Sequence, residues 1–119
     1  MSLSIQQVMQ MSPDKRYTYL LEQAKVGQQL WILTDEHGSV MLNSEDEDCV
    51  PVWPDKALAE YWATEDWVDC KAKAISLSDW LDRWTPGLID DDLYVVVCPN
   101  PAEDGLVVDP DMFDEDLRR

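Results

Sequence analysis

One histidine, three cysteines, 25 aspartates and glutamates, and six tryptophans are the side chains with which this chain could do chemistry. Nucleophilic catalysis needs a base within hydrogen-bond reach of the nucleophile. His37 stands in the turn sequence DEHG, where nothing nearby would orient an imidazole, and a turn residue needs no catalytic role. Cys49, Cys70 and Cys98 are far apart, and Cys70 and Cys98 fall in apolar or strand-like runs that keep a thiol inert. No GxSxG elbow or Cys-His constellation is present, so no catalytic residue is assigned and no enzyme is expected. With one histidine and no CxxC there is no zinc ligand set. Calcium-loop spacing and phosphate-binding glycine loops are also missing, so neither metal nor cofactor is expected.

The carboxylates and tryptophans remain. Paired acid–base chemistry needs one carboxylate in an apolar pocket that raises its pKa. Here the acids cluster in EDED (Glu45 to Asp48), Asp90 to Asp92 and DEHG, all with the composition of solvated loops. Trp80 and Trp84 share a helical stripe with Leu77 and Leu81, which marks core. Trp67, in TEDWVD, has no apolar period to bury it. An exposed tryptophan among acids suits a protein interface, where tryptophan is over-represented among the residues that carry binding energy. The candidate interaction residues are therefore Trp53, Trp67, Asp90, Asp91 and Asp92.

Net charge narrows the partners. The chain carries −16, and from Leu77 to Leu117 there are twelve acidic residues against one basic residue, Arg83. Such a surface repels nucleic acid and anionic lipid, and steers toward a basic protein. The odd cysteine count and an N-terminus without an apolar run point to reduced thiols in the cytoplasm. No stretch approaches the roughly 20 apolar residues of a membrane span. Repulsion between copies disfavours large homo-oligomers, leaving a monomer or weak dimer.

These residues must be positioned by an α+β scaffold. Ser4 to Met11 reads as a short amphipathic piece. Ser12, Pro13 and Asp14 start a helix that Gly27 is placed to stop. LWILT and SVMLN flank DEHG as a hairpin, with Gly38 supplying positive φ. EDED reads as an exposed loop, and CVPVW as a strand that Pro51 confines to an edge or bulge. A helix follows from Pro54, with Ala57, Leu58, Tyr61 and Trp62 inward. CKAKAI alternates as a half-buried strand, and SLSDWLDRWTPG is a helix ended by Pro86 and Gly87. LYVVVC is a central strand, LVVD returns beside it, and Asp109 caps a last helix. The order ααββ–βα–βα–ββα predicts one domain over residues 1–119, a mixed, mainly antiparallel sheet of about six strands with helices packed on it.

Three segments, VPVWPDKALAEYWAT, KAKAISLSDWLDRWTPGLIDDD and VVVCPNPAEDGLVVDPDMF, together resemble the small bacterial proteins of the domain of unknown function 2750 family. The likeness begins near SPDKRYTYLLEQA and covers nearly the whole chain. It departs at Cys98 from the usual pattern, which has an aromatic before the proline, and it carries no catalytic residues across. The VPVWP-helix unit and the closing V-x-P are more loosely similar to the N-terminal part of the enhanced-serine-sensitivity protein B family, which implies a non-enzymatic α+β module. The expected function is a non-catalytic interaction module for a basic partner, such as an immunity or regulatory protein. The alternative is a small-ligand or carbohydrate-binding protein, or a hydrolase, using carboxylates beside tryptophan.

Overall fold

The computed structural model describes residues 4–36, 38–44, 47–63, 67, 69–99 and 105–119. Helix α1 (Ile5–Met9) starts at a capping box: the Ser4 hydroxyl accepts from the Gln7 amide, and the Gln7 side chain accepts from the Ser4 amide. Helix α2 (Pro13–Gly27) is capped by Ser12, as its sequence predicts. It ends differently from expectation. The left-handed residue is Gln28 (φ 57°), one past Gly27, and its Nε2 donates to the Lys25 carbonyl at 2.6 Å.

Strand β1 (Gln29–Asp35) pairs antiparallel with β2 (Gly38–Ser39) and with β5 (Lys71–Ser76). Gly38 takes φ 122°, so the tight turn depends on glycine there. His37 lies outside the described residues. The second arm of the predicted hairpin is divided. After Ser39 the Val40 amide still donates to Leu33, and the chain then leaves for a second sheet as β3 (Leu42–Ser44).

That second sheet runs β3, β4 (Glu47–Val52), β6 (Tyr94–Val97), β7 (Leu106–Val108). Its outer pairings are antiparallel and β4–β6 is parallel, so the fold is α+β with mixed, mainly antiparallel pairing. Among the described residues the strands form sheets of three and four, joined by one bridge in which Trp31 and Trp53 exchange hydrogen bonds of 2.9 Å. Glu47 and Asp48, expected in a loop, instead open β4; exposed Asp48 fits a strand whose one face meets water.

β4 is also not an edge strand, since it lies between β3 and β6. Pro51 is tolerated because strand residues alternate sides. Val52 accepts from Cys98 toward β6, whereas Trp53 bonds toward β1. Pro51 shares the side of Trp53, so its missing N–H faces away from β6, past the end of β3. β6 is central and buried at Val95, Val96 and Val97, as read. Where β7 returns beside it, a Cβ on Gly105 would overlap the Val97 carbonyl, which makes glycine necessary at that close approach.

Helix α3 (Lys56–Trp62), capped by Asp55, buries Leu58 and Ala59; Tyr61 and Ala57 face outward, against expectation. Ser76 caps the short α4 (Leu77–Asp79), which runs into a π-helical turn, Trp80–Trp84, and then α5 (Thr85–Asp90). The helix therefore does not stop at Pro86 and Gly87. In the wider turn Thr85 N–H donates to Trp80, five residues back, and Pro86 enters as an opening residue of a new α-helical segment, where its missing N–H costs nothing. Helix α6 (Pro110–Arg118) begins at Asp109, which accepts from the Met112 amide at 2.9 Å. Phe113 joins the helices in the core, with ring centroids 6.1 Å from Tyr17 and 5.8 Å from Trp80.

Candidate functional site

Trp53 and Trp67 belong to a ladder. Trp53 is 0% exposed and its Nε1 donates to the Pro99 carbonyl at 3.2 Å, so it offers no surface to a partner. Trp62 lies between the other two with its ring tilted to both, centroids 5.5 Å from Trp53 and 5.5 Å from Trp67. Trp67 is consequently half-buried, although its local sequence has no apolar period. Its covering ring lies five residues back across a helix end, a contact that periodicity does not reveal. Its acidic neighbours Glu65 and Asp66 lie outside the described residues. Trp67 borders a cavity of about 540 Å³ with Thr34, Asp35, Glu36, Asp69, Cys70 and Lys71. Burial first, then the charges of Asp35 and Asp69, push the Cys70 thiol up, away from the nucleophilic thiolate.

Asp90, Asp91 and Asp92 are elsewhere, and all three are exposed. They finish α5 and form the turn into Leu93, with Asp92 in the left-handed region at φ 57°. The turn is a ridge between two depressions. On one side Asp92 lines a cavity of about 400 Å³ with Ile89, Tyr94, Asp109 and Asp111; on the other, Asp91 lines a groove of about 280 Å³. Leu93 lines both. Ile89, 41% exposed, lines the first of these, so apolar surface there sits among carboxylates. Trp67 borders neither depression. The structure thus brings the three aspartates together and keeps them apart from the tryptophan pair.

The groove was missed by sequence reasoning. It is lined by buried Val50 and Leu88, half-buried Trp84 and Leu93, and exposed Met41, Arg83 and Asp91. Trp84 lies nearly parallel to buried Trp80, with centroids 5.3 Å apart and planes 11° from coplanar. Leu88 and Met41 come from elements that the sequence pattern did not place side by side. The lone base Arg83 was the only available signal, and among the described residues it makes no ion pair.

Cys98, buried and left-handed at φ 48°, has its thiol pushed up to about 12, by burial above all, with the nearby Arg16 charge opposing and Asp55 adding. Among the described residues no group of three or more His, Cys, Asp or Glu could hold a metal ion. No helix among them is long and apolar enough to cross a membrane.

A small α+β domain with an acidic, apolar-centred ridge is the class these features define. The family described as "Protein of unknown function (DUF2750)" matches residues 17–117, and the chain belongs to that family. No curated protein matches the chain.

Proposed function

We propose that the protein is a non-catalytic interaction module whose ridge Asp90–Asp92, with Asp109 and Asp111, receives a basic surface of another protein. The observation that carries this reading is where the three aspartates stand. Each sits at or just past the C-terminal end of α5, where the helix dipole disfavours negative charge by roughly 0.3–1 kcal/mol apiece. They also repel one another, and all are exposed. A local arrangement that works against folding, set between two depressions with exposed apolar side chains, is explained by a partner that supplies the cations. Acidic complementarity of this kind speeds encounter and makes binding salt-sensitive. An immunity or regulatory protein that covers a basic partner is one concrete form of the role.

The test is a cross-linked pull-down from native cytosol with the wild type and an Asp90→Asn, Asp91→Asn, Asp92→Asn triple variant. A partner recovered by the wild type at low salt, reduced at physiological salt and lost with the triple variant supports the reading. Equal recovery by both proteins overturns it.

The cavity beside Trp67 favours a second reading, a small-ligand site. An indole face with Asp35, Glu36 and Asp69 around it suits a sugar ring, whose apolar face stacks while carboxylates accept from its hydroxyls. Saturation-transfer NMR against mono- and oligosaccharides, with Trp67→Ala as control, decides this. Transfer that the variant leaves unchanged removes Trp67 from the site.

A further inference from the structure

The groove beside Asp91 indicates the chemistry of the segment that would dock on the ridge. Its volume, about 280 Å³, is at the lower limit of small-molecule sites and suits one large apolar side chain. Its wall is preformed, because Trp84 is held against buried Trp80. Met41, 39% exposed, also lines it and is an adaptable side chain. Its exposed border carries both signs of charge, Arg83 and Asp91. Arg83 repels a cation, while Asp91 is flanked in the chain by Asp90 and Asp92. A chain lying across the groove is therefore oriented, with its cationic residues over the aspartates.

We propose that the groove is the anchoring pocket for a basic peptide segment of a protein partner: one large apolar side chain enters between Met41, Trp84 and Leu88, and the lysines or arginines beside it lie on Asp90–Asp92. This rests on the reading of the ridge as a docking face for a basic protein. The two halves do different work. The carboxylates accelerate encounter, and the desolvated apolar anchor slows departure.

The experiment uses the full chain, isotope-labelled for NMR, at low salt. It is titrated with acetyl-Lys-Lys-Phe-Lys-Lys-amide and with the same peptide carrying alanine in place of phenylalanine. The proposal expects saturable shifts at the Trp84 indole N–H and the Met41 and Leu88 amides, together with Asp90–Asp92, for the phenylalanine peptide. The alanine peptide is expected to shift only the aspartates and to bind roughly tenfold more weakly or worse. Met41→Ala, at a position exposed enough to leave the fold intact, is expected to weaken the phenylalanine peptide and spare the alanine one. Equal affinities, with shifts confined to the ridge, overturn the groove assignment while leaving the acidic docking face standing. No shift with either peptide overturns both. Shifts at Trp84 that depend on protein concentration alone assign the groove to a second copy of the chain, and overturn the proposal.

Discussion

Tyr17 and Cys98 hold their protons because of where the fold puts them. The Tyr17 hydroxyl donates to Asp116 Oδ2 at 2.5 Å, tying α2 to α6. Burial first, and this hydrogen bond next, raise the phenol well above its ordinary value of 10.0. Cys98 rises from 9.0 to about 12, again mainly through burial. Both folded values exceed the unfolded ones, so the unfolded chain releases these protons first as pH rises. Their contribution to stability is complete below pH 9 and is lost above it. Urea denaturation is expected to show falling stability from pH 9 to 11. Tyr17→Phe should lower stability by roughly 1–2 kcal/mol at neutral pH through the lost hydrogen bond and flatten the decline above pH 10. A variant with an unchanged alkaline slope would show that the phenol is not its source. At neutral pH neither group is a nucleophile.

At the scale of elements, the π-helical turn is where helix reading from sequence breaks down. The caps at Ser12, Ser76 and Asp109 and the glycine at position 38 were legible because each acts over three or four residues. So were the half-buried strand at Lys71–Ser76 and the central valine strand. Pro86 and Gly87 read as a stop because local rules do not anticipate a widened turn that lets the helix run on to Asp90. The transfer of the chain between sheets at Val40–Met41, and the ring that covers Trp67, are likewise set by partners distant in sequence. Of the candidate site, the aspartates were legible as exposed acids, whereas the groove beside them needed three elements to meet. The π-helical turn also leaves a mark. Thr85 is 6% exposed, and its hydroxyl finds no hydrogen-bond partner among the described residues. Thr85→Val keeps the shape and removes the unsatisfied group, so chemical denaturation is expected to show a gain of roughly 1 kcal/mol. No gain would mean that the hydroxyl is bonded in solution.

For the whole molecule, −16 net charge is confined within a radius of gyration of 13.0 Å. Self-repulsion opposes the compact state, and salt screens it. Raising sodium chloride from 10 to 500 mM, roughly a sevenfold shortening of the screening length, is expected to raise the thermal midpoint by several degrees in a fluorescence melt. The same change weakens docking of a cationic segment on Asp90–Asp92. The two responses have opposite sign, so a melt and a binding titration across one salt series separate charge that burdens the fold from charge that serves recognition. A midpoint that falls with salt would show that specific ion pairs outweigh the general repulsion.

The bridge between Trp31 and Trp53 bears on how the chain reaches this state. One sheet draws on segments 29–35, 38–39 and 71–76; the other uses 42–44, 47–52, 94–97 and 106–108. The chain therefore visits the sheets alternately, and neither can be completed from one continuous stretch. Contacts of such high sequence separation make for slow folding in a single cooperative step. Amide hydrogen exchange at Trp31 and Trp53 is then expected to proceed only through global opening, with the same free energy at both positions. A cut between residues 52 and 71 would leave two fragments, each holding unfinished parts of both sheets, and neither able to fold without the other.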